Sequence, residues 1–276
     1  MQEISDLEML YKDGSFILVN TLYQLKKMVP DEVIDRIKKA TRRLLLLDYD
    51  GTLVDFAVHP GDAVPSDQLL DVIEKLSSTR CTRVVIVTGR KHEDIEKFVG
   101  HMPVTIIAEH GAIRKMNGEW VYQLNAGTSW KSGIMPAFED AVRECSGSFI
   151  EEKKFSLVWH YRNSEYIAGR NCATKLIDRI GNTVKEYKLR VLDGNMAVEV
   201  ITGETGKAHA VQQLTDVNCY DCVLCIGDDK TDEDMFEYLA GFDNAVTIKV
   251  GNGMTSAAYQ VDDVNNVISI LKQLPG

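Results

Sequence analysis

Two aspartates, Asp48 and Asp50, stand two residues apart directly behind the apolar run at residues 44–47. Four apolar residues in a row predict a strand buried on both faces, as in a parallel sheet. Open α/β folds bind ligands at the carboxyl ends of such strands. Gly51 allows a tight turn, so both acids can face one small volume, where they repel unless a cation binds or one holds a proton. The pattern suits a carboxylate nucleophile paired with a carboxylic acid and a divalent metal, although Asp-Gly also occurs at ordinary strand-to-turn junctions.

Two further polar groups that suit a phosphate follow along the chain. The apolar run at residues 83–87 ends in Thr88, whose hydroxyl can donate to a phosphate oxygen beside backbone N–H groups, and the flexible Gly89 comes next. Lys207 precedes a predicted helix over residues 208–214 and would add a positive charge to an anion site that the helix N-terminus already favours. Taken singly, each of these is a weak signal.

A second pair of acids follows a third apolar strand. Asp228 ends the stretch that begins with the apolar run at residues 223–226, and Asp232 lies one helical turn beyond it. Hard oxygen ligands at this spacing suit Mg²⁺, which keeps several waters and takes only one or two carboxylates. The neighbouring acids Glu233 and Asp234 are interpreted as part of a solvated helix start.

The order of these motifs resembles the haloacid dehalogenase superfamily of phosphohydrolases. The resemblance implies an α/β fold, with a doubly wound, Rossmann-like parallel-sheet core and an inserted α/β cap, and phosphoryl transfer through an aspartyl phosphate. The implied catalytic residues are Asp48, Asp50, Thr88 and Lys207. The implied ligands of Mg²⁺ are Asp48, Asp228 and the backbone carbonyl of Asp50, with Asp232 in support. Gly89 and Arg90, beside the hydroxyl motif, are assigned to substrate binding.

The elements that must position these residues alternate between strand and helix on both sides of a central stretch. Helices over residues 67–77 and 92–99, and renewed alternation from Lys207, predict a parallel, doubly wound sheet. In the central stretch a hairpin turn at Asn117-Gly118 and a long strand over residues 149–162 indicate an antiparallel α/β insertion. The predicted organisation is an N-terminal helical extension at residues 1–40, with helices over 16–28 and 31–39, a catalytic core at 41–113 and 203–276, and a cap at 114–202.

Short stretches in and beside the insertion narrow the resemblance to trehalose-6-phosphate phosphatases. These stretches are residues 108–112, 152–156 and 158–162, and Glu199-Val200 with Lys207 eight residues after Glu199; the similarity covers residues 44 to about 250. The resemblance implies that Glu152, Lys154 and Glu199 hold the distal glucose, with Glu109 closer to the core.

Charged residues on one face of the predicted cap strand are candidates for sugar recognition. Alternation puts Glu152 and Lys154 on one face, and His160 and Arg162 continue that face if the strand is unbroken. Such groups suit a polyhydroxylated sugar, because a site built to bind hydroxyls rejects analogues that lack them. The alternative is a solvated sheet face with surface ion pairs. Ile201-Thr202 is a departure from the family, in which Arg-Pro is usual at this place.

The bulk composition limits the partners. The chain has 276 residues and a net charge of −10, which argues against binding to nucleic acid or to anionic membranes. No apolar stretch approaches the roughly 20 residues that a bilayer crossing needs, and the amino terminus lacks the basic start and apolar core of a signal peptide. Six cysteines agree with a reducing compartment. The expectation is a soluble, cytoplasmic protein.

The expected reaction is Mg²⁺-dependent hydrolysis of trehalose 6-phosphate, with the phosphosugar as partner and an association with trehalose-6-phosphate synthase as a possible second one. Related alternatives are a phosphatase for sucrose phosphate or mannosyl-phosphoglycerate, or a phosphosugar mutase. An alternative of another class is a non-catalytic phosphosugar-binding domain of a synthase complex. A binding domain would not need both a nucleophile and an acid.

Overall fold

A computed structural model describes residues 9–12, 15–18, 29–123, 127–203, 205–214 and 216–275 of the chain. Within these ranges the strands are β1 Met9–Lys12, β2 Ser15–Leu18, β3 Arg43–Leu47, β4 Thr82–Val87, β5 Thr105–Ala108, β6 Ile113–Met116, β7 Glu119–Tyr122, β8 Phe149–Glu152, β9 Ser156–His160, β10 Leu189–Gly194, β11 Ala197–Thr202, β12 Cys222–Gly227, β13 Ala245–Val250 and β14 Tyr259–Val261.

The helices begin where the sequence offers a capping side chain or a change of pattern. They are α1 Asp31–Lys39, α2 Asp67–Ser77, α3 His92–Val99, α4 Trp130–Glu144, α5 Tyr166–Glu186, α6 Lys207–Leu214, α7 Lys230–Leu239 and α8 Val264–Gln273. The Ser66 side chain accepts a hydrogen bond from the Leu69 N–H at the start of α2, and Asp229 forms a reciprocal capping box with Asp232 at the start of α7. Among the described residues, no helix combines the length and apolar character that a bilayer crossing would need.

The larger sheet has the strand order β14-β13-β12-β3-β4-β5-β6-β7. The pairs from β14 to β5 are parallel, and β6 and β7 add an antiparallel hairpin at one edge. Leu44 of β3 lies opposite Val223 on one side and Arg83 on the other, so β3 and β12 are adjacent. The predicted doubly wound parallel sheet is thereby confirmed. The adjacent strands β12 and β3 carry the two acidic motifs to the same edge.

Helices cover both faces of this sheet, which explains the unbroken apolar run in β3. Leu45 and Leu47 pack in a cluster with α1, α2, α3 and α8, whereas Leu44 and Leu46 pack on the other face with α6 and α7. All four leucines are fully buried. Truncation of such a leucine to alanine typically costs about 2–5 kcal/mol, so the strand that presents Asp48 is firmly held.

A separate four-stranded antiparallel sheet, in the order β10-β11-β9-β8, forms the second part of the molecule. Helices α4 and α5 pack on one of its faces around Trp159, Tyr161, Phe138 and Leu176. The opposite face is turned to the larger sheet. We call this unit the cap.

Two expectations about secondary structure are corrected. The predicted long strand over residues 149–162 is a hairpin, β8 and β9, in which Glu151 pairs with Val158. The sequence has no Gly, Pro or Asn at the turn, so the usual turn signal was missing. The helix predicted over residues 16–28 is wrong at its start, because Ser15–Leu18 is a strand paired with Met9–Lys12; residues 19–28 lie outside the described ranges.

The helix predicted over residues 31–39 is confirmed as α1, and it packs into the main core through Val33, Ile34 and Ile37. Residues 113–122 pair with the larger sheet as β6 and β7, although the prediction began the cap at residue 114. The Asn117-Gly118 turn joins them as expected, with φ of 52° and 85°. The division of the chain into extension, core and cap otherwise stays a prediction.

Candidate active site

The lysine and the two acidic motifs meet in a buried cluster at the carboxyl edge of the larger sheet. Lys207 Nζ lies 2.7 Å from Asp48 Oδ1 and 2.8 Å from Asp232 Oδ1, although 159 residues separate Lys207 from Asp48. All three side chains are almost completely buried. Asp48 follows β3, Asp232 lies in the first turn of α7, and Lys207 opens α6. The structure thus brings together the predicted nucleophile, the predicted phosphate-binding lysine and one predicted metal-site acid.

Asp228 reaches the same cluster from the adjacent strand β12. Gly51, with φ of +78°, passes so close that a Cβ at this position would lie 2.3 Å from Asp228 Oδ2. A side chain at residue 51 would therefore both strain the backbone and collide with the acid. The glycine in the Asp-x-Asp-Gly motif is required by the approach of the two strand-end loops, a reason that the sequence alone did not give.

Burial and mutual repulsion dominate the electrostatics of these carboxylates. Burial raises the pKa of Asp48 to about 8 although Lys207 opposes the shift. Burial, together with the charges of Asp229 and Asp232, raises the pKa of Asp228 to about 8. Burial alone would lower the pKa of Lys207, but Asp232 and Asp48 raise it well above its ordinary value. The four carboxylates of Asp48, Asp228, Asp229 and Asp232 outnumber the two nearby lysines, Lys207 and Lys249, so ionisation of all four is unfavourable without another cation.

The residues present fit a divalent cation. Carboxylate oxygens of Asp48, Asp228 and Asp232 all lie within 4.8 Å of one another. Asp228 Oδ1 is buried and has no hydrogen-bond partner among the described residues, which leaves it free to ligate. Asp232 is different, because its Oδ1 accepts from Lys207 and its Oδ2 accepts from the N–H groups of Asp228 and Asp229. Asp48 and Asp228 are therefore the candidates for direct ligation, and Asp232 orients its neighbours.

Arg90 clamps the second aspartate of the motif. Its Nε and Nη2 donate to the two carboxylate oxygens of Asp50 at 2.7 and 2.5 Å, and its Nη1 donates to the Pro60 carbonyl at 2.5 Å. The guanidinium also lies 4.8 Å above the ring of Tyr49. The prediction had Arg90 binding substrate. In the structure three of its five N–H groups bond to Asp50 and Pro60, which positions Asp50, and Arg90 also lines the cleft; its substrate-binding role stays a prediction.

Thr88 and Gly89 line the same cleft as Asp48 and Asp50. The Thr88 N–H donates to the Ile107 carbonyl, and its hydroxyl oxygen accepts from the Arg90 N–H, so the loop is fixed at both ends. A Cβ on Gly89 would lie 2.5 Å from the His110 ring. The loop therefore holds the Thr88 hydroxyl beside Asp48 and Asp50 in the lining of the main cleft.

The cap covers this cleft with a charged face. Cross-strand pairing places Glu151 and Glu199 on either side of Val158, and His160 lies one pair further along the same face. Glu151, Lys153, His160 and Glu199 all line the cleft. His160 Nε2 is 2.9 Å from Glu151 Oε2, and Lys153 Nζ donates to Glu199 Oε1 at 2.9 Å. Charged groups thus face the cleft between core and cap.

The prediction for Glu152 and Lys154 is one residue out of register. The Glu152 side chain is 58% exposed and contacts Lys131, while Lys154 Nζ lies 3.5 Å above the ring of Tyr122; neither lines the cleft. A shift of one residue along a strand moves every side chain to the other face. Glu151 and Lys153 are therefore the acid and base that face the cleft.

Three more predicted residues are placed by the structure. Glu199 and His160 line the cleft as expected, and Arg162 lines it while donating to the backbone carbonyls of Ala57 and Asn195, both at 2.8 Å. Glu109 does not line the cleft. It is buried beneath the turn between β8 and β9, where its carboxylate accepts hydrogen bonds from backbone N–H groups.

Sequence reasoning missed Glu151, Lys153 and His110 as cleft residues. His110 Nε2 lies 3.1 Å from Glu199 Oε2, and Ser156 Oγ donates to Glu199 Oε1 at 2.6 Å. Burial alone would raise the pKa of Glu199, but Lys153 and His110 outweigh it and hold the pKa well below its ordinary value. For Glu151 and Lys153 the missing signal was the hairpin turn, because its position decides which residue of each adjacent pair faces inward. His110 follows β5 in a short turn over residues 109–111, and no pattern in the sequence singled it out.

Comparisons with known proteins agree with this arrangement. A family model for trehalose-phosphatase matches residues 46–265. The bifunctional trehalose-6-phosphate synthase/phosphatase of Thermoproteus tenax is 37% identical over 254 residues, which covers 92% of this chain and 34% of that protein. The trehalose-phosphatase of Schizosaccharomyces pombe is 35% identical over 243 residues, which covers 84% of this chain and 28% of that protein. The chain spans about a third of the length of the curated relatives that it matches.

Among solved structures, the C-terminal domain of the Candida albicans trehalose-6-phosphate phosphatase superposes with a TM-score of 0.85 at 30% sequence identity. The match covers 91% of this chain and 98% of that domain. The similarity therefore extends over both the larger sheet and the cap.

Proposed function

The chain belongs to the trehalose-phosphatase family, and from that premise we propose that it hydrolyses trehalose 6-phosphate to trehalose and phosphate in a Mg²⁺-dependent reaction. The observation that carries the proposal is the buried contact of Lys207 with Asp48 and Asp232, next to Asp50 and beneath a charged cap face. A binding site needs charge to hold a phosphate. It does not need two carboxylates, those of Asp48 and Asp232, in contact with its lysine, because their negative charges repel a phosphate.

The proposed reaction has two steps that share the same residues. Asp48 attacks phosphorus, the bond from phosphorus to the sugar oxygen breaks, and Asp50 gives that oxygen a proton. Water then attacks the phosphoryl group of the aspartyl phosphate and gives a proton to Asp50, which releases phosphate and restores Asp48. Arg90 donates to both carboxylate oxygens of Asp50 and fixes this side chain in the lining of the cleft, so Asp50 gives up one of the two hydrogen bonds when it carries the proton.

Lys207 and Thr88 complete the phosphate site proposed here. Lys207 lies within hydrogen-bond distance of Asp48, where its charge would offset the charge on the transferring oxygens. Thr88 can donate its hydroxyl hydrogen to one of those oxygens, because its hydroxyl oxygen already accepts from the Arg90 N–H. A Mg²⁺ held by Asp48, Asp228 and the backbone carbonyl of Asp50 would supply further charge neutralisation when bound.

The cap face supports a sugar substrate. Glu151, Lys153, His160 and Glu199 offer paired donors and acceptors above the phosphate site. A sugar hydroxyl can donate to one such group and accept from another, so these residues are the proposed contacts to the glucose distal to the phosphate. The roles that the resemblance gave to Glu152 and Lys154 pass to Glu151 and Lys153.

The proposal includes an association with trehalose-6-phosphate synthase. A similar protein from Thermoproteus tenax bears the name of a bifunctional synthase/phosphatase, and the match covers about a third of it. A synthase module would supply the substrate of this one. We also propose a cytoplasmic location, where nucleotide sugars and phosphosugars are made.

The test is phosphate release from trehalose 6-phosphate with Mg²⁺ and with EDTA, alongside glucose 6-phosphate and sucrose 6-phosphate. The proposal expects metal-dependent release from trehalose 6-phosphate and little from the other two. Equal release from sucrose 6-phosphate would keep the chemistry and reject the substrate. No release from any phosphosugar, with trehalose 6-phosphate still bound, would favour a phosphosugar-binding domain instead.

A further inference from the structure

The turn between β8 and β9, residues 153–155, is the part of the cap that reaches deepest into the core. Phe155 is buried in the hydrophobic cluster of the larger sheet, not in that of the cap. Its ring meets Tyr122 of β7 edge-on, with centroids 6.3 Å apart. We call residues 153–155 the docking turn. Phe155 is therefore a cap side chain that packs in the core.

Glu109 receives the backbone of this turn. Its Oε1 accepts from the Lys154 N–H at 3.3 Å and its Oε2 accepts from the Phe155 N–H at 2.8 Å. Glu109 is nearly fully buried. The N–H groups of two consecutive residues of the turn point to one side and form an anion-binding site. The anion that occupies this site is the Glu109 carboxylate. A carboxylate acceptor makes such hydrogen bonds stronger than neutral ones.

The backbone around Glu109 is held in an unfavourable conformation. Glu109 and the next residue, His110, have φ of 46° and 53°, in the left-handed region that residues with a Cβ seldom adopt. Such conformations persist only where the surroundings impose them, and they concentrate at functional sites. Here the Glu109 N–H donates to the Arg90 carbonyl and the His110 N–H donates to the Thr88 carbonyl. The strained pair is therefore bonded to the loop that lines the phosphate site.

The docking turn contacts the same loop directly. Lys153 Nζ donates to the Gly89 carbonyl at 2.8 Å and to Glu199 Oε1 at 2.9 Å. Two routes thus join the cap to residues 88–90, one through the side chain of Lys153 and one through the carboxylate of Glu109.

We propose that Glu109 is a positioning residue that docks the cap, by binding the Lys154 and Phe155 N–H groups and guiding Phe155 into the core. Docking places Lys153 and Glu199 next to residues 88–90, the loop that lines the phosphate site. Binding of the substrate's sugar by the cap is thereby coupled to assembly of the phosphate site. The effect on turnover rests on the function proposed above; the docking contact itself does not. Glu109 does not line the cleft, so the proposal gives it no direct contact with the phosphate or the sugar.

The first experiment follows amide hydrogen exchange at residues 154 and 155 in the substrate-free protein. Glu109→Gln removes the charge and replaces one carboxylate oxygen by an NH₂ group, which cannot accept a hydrogen bond from the N–H of residue 154 or 155. Exchange at these two amides is therefore expected to rise at least about tenfold. Glu119→Gln, at an exposed position on β7, is the matched control. Unchanged exchange in Glu109→Gln, with a similar unfolding midpoint, would overturn the proposal.

The second experiment compares two substrates. Glu109→Gln and Phe155→Ala are each expected to lower kcat/KM for trehalose 6-phosphate by about 10- to 100-fold, which corresponds to the loss of one or two charge-assisted hydrogen bonds or of one buried ring. Hydrolysis of p-nitrophenyl phosphate, which has no sugar for the cap to bind, should change less than about threefold. Phe242→Ala, which removes a ring from the cluster on the other sheet face, controls for lost packing.

The outcomes separate the two proposals. An equal loss on both substrates would mean that Glu109 acts on the core alone, and would overturn the docking role. Rescue by Phe155→Leu, which restores apolar volume, would support it, and so would partial rescue by Glu109→Asp. If the wild type does not hydrolyse trehalose 6-phosphate, the proposed function fails, and the exchange experiment still decides whether Glu109 docks the cap.

Discussion

Replacement of Lys153 and Lys154 by methionine, one at a time, tests the register of the cap face. The two residues are neighbours with the same side chain, yet the structure gives them opposite surroundings. Lys153 is buried and donates to Gly89 O and Glu199, whereas Lys154 is exposed and contacts the ring of Tyr122. Methionine keeps most of the length and removes the charge, so each variant is the control for the other.

The expected losses of kcat/KM in the two variants differ by more than a factor of ten. Lys153→Met leaves the buried carboxylate of Glu199 without its nearest cation, and removal of one partner of a buried ion pair typically costs about 3–5 kcal/mol. About 1.36 kcal/mol corresponds to a tenfold change in rate. If the transition state carries a cost at the lower end of this range, kcat/KM falls at least about 100-fold. Lys154→Met loses a cation–π contact at an exposed site, about 0.5–1 kcal/mol, which corresponds to about two- to fivefold.

The assay is phosphate release from trehalose 6-phosphate at saturating Mg²⁺, with kcat and KM determined separately. Denaturant unfolding of both variants shows whether the loss reflects the site or the stability of the whole chain. A larger loss in Lys154→Met than in Lys153→Met, at similar stability, would refute the register and restore the predicted role of Lys154. Equal small losses would mean that neither lysine faces the sugar.

Three further perturbations have outcomes that the site geometry determines. Asp48→Asn should abolish phosphate release while circular dichroism shows a folded protein, because the amide cannot act as the nucleophile; normal turnover would exclude the mechanism. Asp228→Asn should reduce the rise in Tm on addition of MgCl₂, which for the wild type corresponds to about 2.7 kcal/mol at 100 times Kd, because Asp228 Oδ1 is the free ligand atom; an equal rise in both would place the metal elsewhere. Glu199→Gln should destabilise the protein near neutral pH, and the difference from wild type should shrink as the pH falls below the ordinary pKa of 4.5. The sign follows because a carboxylate whose pKa is lowered by folding stabilises the protein at pH values above its unfolded pKa, and this stabilisation is lost on protonation. The free energies of unfolding are measured with urea between pH 3 and 7. A difference between the two proteins that does not vary with pH would contradict the ion pair between Lys153 and Glu199.

The sequence by itself was sufficient for the catalytic edge of the larger sheet. The apolar runs at residues 44–47 and 223–226 predicted buried parallel strands, each followed within two residues by an aspartate, so Asp48 and Asp228 were expected at the same edge of the sheet. That these two strands are adjacent, which brings the two aspartates together, is a finding of the structure. Lys207 and Thr88 could be placed by the same rule, since each follows or precedes an element whose direction the alternating pattern determines. The inference holds because it depends on long apolar runs and not on single residues.

Only the tertiary structure decided which side chains of the cap face the cleft. Alternation has a period of two, so the turn between β8 and β9 determines whether Glu151 and Lys153 or their neighbours point inward, and no turn residue marks it in the sequence. Arg90 and Glu109 were likewise visible as polar residues beside a motif. Their partners, Asp50 and the docking turn, are about 40 residues or more away along the chain, and contacts at such separations are set by the packing of whole elements, which no local pattern records.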